Sequence, residues 1–243
     1  MANAYVCYDA PMAAGTTPSR RARLRAQTLA EIREHGYAQI ADGGPTALSL
    51  NGIAKAMGMS GPGLYRYFAS RDELLTTLVT ESYEDLADAL EDAAEQARRR
   101  APEARLRAIA DAFRAWALAQ PHRYRLVFGS TYGSGELEPD RIIPAAHRSM
   151  GVLLRALAEL TPEPAAPVRD AVLRRQLAAW AASRPDDLDL DPDLLALGVL
   201  AWTRLHGVIS MEIEGLFEQM GIDPCHLYRV EVDHLVAQRL GHD

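Results

Sequence analysis

Apolar positions along this chain recur mostly at intervals of three and four residues, which is the spacing of one face of a helix. From Ser19 onward, Leu24, Thr28 and Ile32 lie four residues apart and predict a first helix. The histidine and glycine at positions 35 and 36 supply a stop, because glycine readily ends a helix. Since the same periodicity continues to the end of the chain, we expect an all-α fold.

A turn-rich stretch, DGGPTALSL, follows the first helix and ends at the cap of a second one, Ser49. The second helix is predicted from apolar residues at i, i+3, i+4 and i+7, namely Leu50, Ile53, Ala54 and Met57. Gly58 can take the left-handed conformation that ends it, Ser60 can cap the next helix, and Pro62 is tolerated in a first turn. The stretch MGMSGPGLYRYF therefore predicts a tight corner and a third helix barely two turns long, a helix-turn-helix.

The third helix has a slim outer face. Leu64 and Phe68 form its predicted inward face. Four residues are predicted to point elsewhere, with little bulk at the start of the helix: Gly61, Gly63, Tyr65 and Arg66. A slender, polar N-terminal end can enter a DNA major groove, where backbone donors and the helix dipole meet phosphates.

The rest of the chain predicts a larger helical body. Ser70 caps a long fourth helix, and further helices are predicted near residues 102–119, 121–128, 139–160, 166–183, 192–220 and 224–240. Four of them begin on a proline: Pro102, Pro121, Pro192 and Pro224. We therefore divide the chain into a disordered tail over 1–18, a helix-turn-helix domain over 19–69 and a helical ligand-binding and dimerisation domain over 70–243.

The predicted helix-turn-helix domain, here called the head, differs in net charge from the rest of the chain, here called the body. Residues 17–71 carry eight Arg or Lys and three Asp or Glu, a net charge of +5 in a chain whose net charge is −7, which leaves −12 for the rest. Such asymmetry suggests an anionic partner for the head alone. Chance clustering of solvated charge is the alternative reading at this point.

Composition argues against several other classes of protein. Cys7 and Cys225 lie far apart, so no disulfide framework is visible, and no apolar run approaches the roughly 20 residues that cross a bilayer. We expect a cytoplasmic protein without a membrane segment, translated from Met1 or from Met12. No nucleotide-binding glycine loop or nucleophile elbow is present. Cys225, His226 and His234 lack the closing pair of a zinc site, so we expect no catalytic residues, metal or cofactor.

The residues of the head resemble those of the TetR family. The stretches RRARLRAQTLAEIREHGY and LSLNGIAKAMGMSGPGLYRYFASRDELL carry the resemblance over about residues 20 to 80. The positions that match the family's spacing are Ile53, Ala54, Gly58, Ser60, Leu64, Tyr65, Phe68, Ser70 and Leu74. One departure is Arg71, where the family usually has lysine; either cation can hold a phosphate, with different geometry.

The resemblance implies a role in DNA binding for a particular set of residues, and Ser60 belongs to this set. Ser49 and Lys55 would touch the DNA backbone. The residues implied to face base edges are Gly61, Pro62, Gly63 and Arg66, and those implied to grip phosphates are Tyr65, Tyr67 and Arg71. The entering arginines, implied to reach backbone or minor groove, are Arg20, Arg21 and Arg23. Because two of these positions are glycines, specificity would depend on Arg66, methyl contacts and DNA shape.

The segment 192–220 is apolar on more than one face, so one of its neighbours could be a second subunit. Its motif WTRLHG resembles a C-terminal domain that some TetR-family regulators share, named for its Trp-His-Gly signature. The resemblance implies that the last two helices form a homodimer bundle. The interface residues expected are Trp202, Leu205, His206, Gly207, Ile209, Ile213, Tyr228, Val232 and Leu235. A twofold dimer would bind a palindromic operator in double-stranded DNA, because two heads bind better than one.

The family places a small-molecule pocket among its middle helices. The candidates here are Phe113, Trp116, Tyr124, Phe128, Tyr132, His147, Met150 and Trp180, although any one of them could be ordinary core. Of these, Trp116, Phe128 and His147 are preferred. The expected function is a ligand-responsive transcriptional regulator, with repression as the family default. A non-sensing architectural DNA-binding protein, or an enzyme with an incidental helix-turn-helix, are the alternatives.

Overall fold

The computed structural model describes residues 19–129, 137–160, 168–183 and 191–240. Within these ranges the chain forms ten α-helices, two 3-10 turns and no strand, which confirms the predicted all-α fold. The helices are α1 (Arg20–Gly43), α2 (Leu50–Ala56), α3 (Gly61–Leu64), α4 (Arg71–Gln96), α5 (Pro102–Ala119), α6 (Pro121–Phe128), α7 (Pro139–Glu159), α8 (Ala171–Ala182), α9 (Pro192–Ile213) and α10 (Pro224–Leu240). The 3-10 turns are Pro45–Ala47 and Glu218–Met220.

Side-chain caps and prolines set most of the helix starts. Ser19, Ser49 and Ser70 each accept a hydrogen bond from a backbone N–H of the first turn that they precede. The four predicted proline starts are all observed, and α5 and α6 begin and end at the predicted residues. Local sequence chemistry therefore places these elements correctly.

The predicted end of α1 at position 36 is wrong, because the helix continues to Gly43. Gly36 lies inside α1, where a β-carbon would come within 3.0 Å of the Leu78 side chain. The glycine thus permits close packing of α1 on α4 rather than ending the helix. Tyr37 and Ile40 then bury their side chains in the head, and α1 ends where Gly44 takes a φ of +72°.

Two other predicted boundaries also move. The helix predicted over 166–183 begins at Ala171, capped by Asp170, whose carboxylate accepts from two backbone N–H groups. The helix predicted over 192–220 ends at Ile213, because Gly215 has a φ of +68° and redirects the chain. A 3-10 turn, Glu218–Met220, occupies the remainder.

Two apolar cores lie along one shared helix. The head core joins α1, α2, α3 and the first half of α4, with Leu74, Leu75 and Leu78 fully buried in it. The body core joins the second half of α4 to α5, α6, α7, α9 and α10, and includes Leu86 and Leu90. Since α4 belongs to both cores, a movement of its second half in the body would also displace its first half in the head.

The expectation that no segment could cross a bilayer needs correction. Among the described residues, α9 is long and apolar enough to do so by length and composition. In the fold, however, α9 is a core helix, with Leu195, Ala201, Leu205 and Ile209 buried against its neighbours. The buried face of α9 accounts for part of its hydropathy, and exposed residues such as Leu200 account for the rest.

Candidate DNA-binding surface and ligand cavity

The corner between α2 and α3 has the predicted geometry. Gly58 takes a φ of +65°, and the backbone N–H of Met59 donates to Ala54 O at 2.8 Å. Leu64 and Phe68 are buried in the head core, which fixes the inner face of α3. The helix is one turn long, shorter than predicted, and the chain then continues as a turn through residues 65–67. A compact recognition element thus stands at one end of the molecule.

The outer face of α3 and the turn after it is only partly as predicted. Ser60, Pro62 and Arg66 are exposed, and Tyr65 keeps 47% of its surface accessible. Gly63 is buried, and a β-carbon there would lie 3.1 Å from Ser60 Oγ. The expectation that Gly63 points outward is therefore wrong, because it packs on the start of its own helix.

Gly61 and Lys55 complete this face. Gly61 is half-buried, with space for a β-carbon 3.6 Å from Asn51 Oδ1. Lys55 is exposed in the last turn of α2. Ser49, predicted to touch the DNA backbone, uses its hydroxyl to accept from Gly52 N, and its own N–H donates to Gln39. In this structure Ser49 is a helix cap.

A basic groove runs between the start of α1 and the turn after α3. It is lined by Arg20, Arg21, Leu24, Arg25, Thr28, Arg66 and Tyr67. The guanidinium carbon of Arg25 lies 5.0 Å from the centre of the Tyr67 ring, a cation–π distance. Arg23 is exposed on α1 but does not line the groove. Sequence reasoning missed Arg25, although its place four residues after Arg21 puts both on one helix face.

Arg71 was expected to contact a DNA phosphate, but in this structure its guanidinium group is hydrogen-bonded to other groups of the chain. Its Nε donates to Leu48 O at 3.1 Å, one Nη donates to Pro45 O, and the other pairs with Asp72 at 2.9 Å. The side chain thus fastens the segment between α1 and α2 to the start of α4. A contact with phosphate would compete with these three intramolecular hydrogen bonds.

A cavity of about 180 Å³ with an open mouth lies between α4, α5, α6, α7, α8 and α9. Five of the predicted ligand residues line it: Phe113, Phe128, His147, Met150 and Trp180. Two residues predicted for the dimer interface, Trp202 and Leu205, also line it. Its volume lies between that of an apolar cavity of about 150 Å³ that holds one benzene ring and that of drug-sized ligand sites, about 300 to 1,000 Å³.

Three predicted ligand residues do not line this cavity. Trp116 is buried and donates its indole N–H to Asp85 at 2.8 Å. The hydroxyl of Tyr124 lies 2.8 Å from His206 Nδ1 and 2.8 Å from Ser210 Oγ, and burial raises the pKa of Tyr124 to about 12. Tyr132 lies outside the described residues. Helical spacing identified these aromatic residues as inward-facing but could not distinguish core from cavity wall.

Sequence reasoning missed the part of the wall that α4 and α5 supply. Tyr83, Leu86 and Leu90 of α4 and Ile109 and Ala110 of α5 face the cavity. Their apolar spacing on α4 was visible, but the same spacing is found on any core helix. The packing of α7 on α4, with α8 packed on α9, turns this stripe into a wall.

Five residues predicted at the dimer interface are instead buried inside the single chain. They are Leu205, Ile209, Tyr228, Val232 and Leu235. They are covered because α9 and α10 pack on each other and on α5. The Tyr228 hydroxyl, for example, donates to Ala110 O at 2.7 Å, and burial raises its pKa. These five cannot contact a partner, so the prediction is wrong for them.

Other predicted interface residues remain accessible. Trp202, His206, Gly207 and Ile213 are partly exposed, and a β-carbon at Gly207 would meet nothing within 4 Å. His206 makes hydrogen bonds with Tyr124 and Ser210 of its own chain. The exposed large apolar residues of this region are Leu200, Leu216, Met220, Ile222 and Val230.

A polar and aromatic junction joins the head to the body. Asp85 Oδ2 accepts from Trp116, Gln120 and Arg123 at 2.8 to 3.0 Å. The guanidinium carbon of Arg123 in turn lies 4.2 Å from the centre of the Tyr37 ring, on the head helix α1. Burial raises the pKa of Tyr37, whose hydroxyl donates to Leu78 O at 2.9 Å.

The described residues offer no cluster of three His, Cys, Asp or Glu side chains that could hold a metal ion. Cys225 carries a free thiol, and His226 lies 3.6 Å from Asp223 in an exposed i,i+3 pair. The zinc arrangement considered from the sequence does not form in this part of the chain.

Comparison with known families matches both parts of the chain. The model for bacterial regulatory proteins of the tetR family matches residues 25–78, and the model for the tetracyclin repressor-like C-terminal domain matches residues 106–235. The second match includes Trp202, His206 and Gly207. That this domain is of the Trp-His-Gly type stays a prediction.

Similar proteins extend over nearly the whole chain. An HTH-type transcriptional regulator of Mycobacterium tuberculosis is 31% identical over 221 residues, which is 90% of this chain and 94% of the relative. The crystal structure of the regulatory protein SCO4313 has a TM-score of 0.74 at 40% identity, and covers 90% of this chain and 98% of its own. The TetR family regulator PfmR of Thermus thermophilus shares the fold, with a TM-score of 0.55 at 19% identity over 84% of this chain and 96% of its own.

Proposed function

The chain belongs to the TetR family of bacterial regulatory proteins, and from this membership we propose that it is a repressor that a small molecule releases from its operator. DNA binding and transcription regulation come with the family, whose members are regulators rather than enzymes. The proposal adds a homodimer, a palindromic operator, an effector, a cytoplasmic location and the division of the chain at residues 18 and 69.

The main observation in support of the proposed DNA-binding site is the basic groove beside α3. Four arginines, Arg20, Arg21, Arg25 and Arg66, surround it, while the rest of the chain is strongly acidic. An anionic duplex is attracted to this end of the molecule and repelled from the other. The exposed Pro62, Tyr65 and Arg66 would enter the major groove, and the arginines of α1 would hold the flanking phosphates.

The homodimer is supported by exposed apolar surface near α9 and α10. Leu200 keeps 53% of its surface accessible, and Gly207 lies one heptad further along the same face of α9. A second copy packed here would cover this face, and the missing side chain of Gly207 would let the helices approach closely. Two heads related by a twofold axis then match a palindrome.

The effector role is supported by the cavity and by its neighbours. Phe128 on α6 and Tyr83 on α4 line the cavity, and the same two helices hold the junction with α1 through Arg123 and Asp85. A ligand that fits only one arrangement of these helices shifts the heads by its differential affinity for the two arrangements. A non-sensing architectural DNA-binding protein would not require such a cavity for its function.

A mobility-shift assay tests the DNA-binding site, with the DNA upstream of the protein's own gene as probe. We expect Arg21→Ala to weaken binding to every duplex and to make the slope of log affinity against log salt shallower by about one, as a lost phosphate contact does. We expect Arg66→Ala to weaken the operator selectively, by about tenfold. The control is Arg99→Ala, which removes an exposed arginine of the body.

Two results would contradict the proposed site. Equal losses for Arg99→Ala and Arg21→Ala would mean that charge anywhere on the protein holds the DNA. Unchanged binding in both Arg21→Ala and Arg66→Ala would remove the groove from the interface.

A further inference from the structure

The described wall of the cavity contains no acidic side chain and no Arg or Lys, and His147 is its one imidazole. Five aromatic side chains contribute instead: Tyr83, Phe113, Phe128, Trp180 and Trp202. A ligand that enters this cavity exchanges water for aromatic and aliphatic surface, which favours apolar groups and penalises ions.

Phe128 lies at the centre of a ring cluster at one side of the cavity. Its ring centre lies 6.0 Å from those of Tyr83 and Phe113, 5.7 Å from that of Trp202 and 4.9 Å from that of His206. Edge-to-face and tilted contacts of this kind hold each ring in a fixed orientation. A flat ligand can therefore add one more ring to a preformed set.

Two hydroxyl groups of the wall already have partners within the chain. The Tyr83 hydroxyl lies 3.4 Å from Val127 O, and the Ser149 hydroxyl donates to Ala146 O at 2.9 Å. Behind Trp202, His206 stacks on the indole at 4.9 Å, and burial lowers the pKa of this imidazole, which favours its neutral form. A ligand anion thus finds no Arg or Lys in the described wall, where His147 is the one imidazole.

We propose that the cavity takes one uncharged, largely apolar aromatic molecule of two or three rings, held among Phe128, Trp202 and Tyr83. The enclosed volume of about 180 Å³ holds one or two rings, and the open mouth leaves space for a further ring. The inference rests on the proposed function only where it identifies this molecule with the effector. The ligand class itself follows from the wall and is tested without DNA.

Two fluorescent probes with the same ring system test the ligand class. N-phenyl-1-naphthylamine is uncharged, whereas 8-anilinonaphthalene-1-sulfonate carries one additional sulfonate. In titrations of the full chain, we expect the uncharged probe to bind at least about tenfold more tightly, because the described wall has no Arg or Lys to pair with the desolvated sulfonate. Quenching of tryptophan fluorescence by the bound probe provides an independent readout near Trp180 and Trp202.

Three variants locate the binding to this cavity. Ala146 lies half-buried in the wall, so Ala146→Trp fills the space and should weaken the uncharged probe at least about tenfold. The matched control is Ala158→Trp, at an exposed position of the same helix, and should leave binding unchanged. Met150→Lys places a cation in the wall, so it should weaken the uncharged probe and strengthen the sulfonate.

The outcomes separate the two proposals. Failure of the uncharged probe to bind, equal binding of both probes, or full binding by Ala146→Trp would overturn the ligand class. Tight, cavity-dependent binding of the uncharged probe would support it. If the bound probe leaves operator affinity in the mobility shift unchanged, the ligand class still stands, and release of the operator by ligands of this class is overturned.

Discussion

Arg71 connects three segments of the head through one planar guanidinium group. Its nitrogen atoms reach Pro45 O, Leu48 O and the Asp72 carboxylate, so it holds the segment before α2 against the start of α4. Fork geometry is what allows a single side chain to serve three acceptors in different directions. The lysine usual in the family has the charge for this position but not the shape.

We predict that Arg71→Ala lowers the free energy of unfolding by about 1 to 3 kcal/mol, because two backbone carbonyls lose their donor. Urea denaturation measures the change. Arg71→Lys should recover part of it, since one ammonium cannot reach all three acceptors. A variant that is fully stable yet shows a shallower salt dependence of DNA binding would assign Arg71 to a phosphate instead.

Burial of His206 makes the stability of the folded chain depend on pH below about 6.5. Burial lowers its pKa in the folded chain, whereas the unfolded value is about 6.5. The unfolded chain therefore binds the proton more readily, and the stability that neutral His206 permits is complete above about pH 6.5 and is lost as the pH falls below it. His122 has its pKa lowered too, by burial and then by Arg123, and it acts in the same direction.

We predict that the wild-type protein loses stability between about pH 7.5 and about pH 5.5 and that His206→Gln loses less. The measurement is urea denaturation at both pH values, and His122→Gln combined with His206→Gln should flatten the dependence further. His234→Gln, at an exposed position, is the control. If the single and double variants follow the wild-type curve, the acid-side loss arises elsewhere.

At the scale of helices, α4 and α6 each line the cavity and also form the junction between the head and the body. The second half of α4 supplies Tyr83 to the cavity and Asp85 to the junction, and α6 supplies Phe128 to the cavity and Arg123 to the junction. Because both helices are packed on each side, they cannot adjust to a ligand without altering the contact with α1. The arrangement gives a physical route from cavity to head.

The helices themselves were predictable where a local signal sets their limits. Proline starts and serine caps act over one turn, so α5 and α6 were predicted to the residue and Ser70 was identified as a cap. The end of α1 was not predictable in this way. Gly36 carries the signal of a helix stop, but its use depends on Leu78, which lies 42 residues away in sequence and against it in space.

The candidate sites were predictable only in part, for a related reason. Helical spacing identifies which side chains face inward, and five of the proposed ligand residues do line the cavity. Spacing does not reveal whether the neighbouring helix fills the space, so Trp116 was placed in the wall and Tyr83 was missed. In the same way, Tyr228 was assigned to a partner although its own chain covers it.

At the scale of the whole molecule, charge and apolar surface lie at different places. Arginines surround the groove beside α3, whereas the exposed apolar side chains of the body include Leu200 on α9 and Val230 on α10. In the proposed dimer, α9 and α10 of two copies would meet and the two heads would stay free to bind one duplex. The long-range field then orients the heads toward DNA before contact.

Gly207 offers the sharpest test of that dimer. Within the chain a β-carbon at this position meets nothing within 4 Å, so a larger side chain has room and even raises helix propensity. In a dimer packed along Leu200 and Gly207, the same side chain would force the two copies of α9 apart. We predict that Gly207→Leu raises the dimer dissociation constant at least about tenfold in sedimentation velocity and leaves the helical circular dichroism unchanged.

The control for this prediction is Ala158→Leu, a change of similar size at an exposed position of α7. It should leave both the association state and the operator affinity as they are. Because one head holds DNA more weakly than two, Gly207→Leu should also lower operator affinity at protein concentrations where the wild type is dimeric. A Gly207→Leu protein that stays dimeric would place the subunit contact on another face, and the exposed residues after α9, such as Leu216 and Met220, would then be the next to substitute.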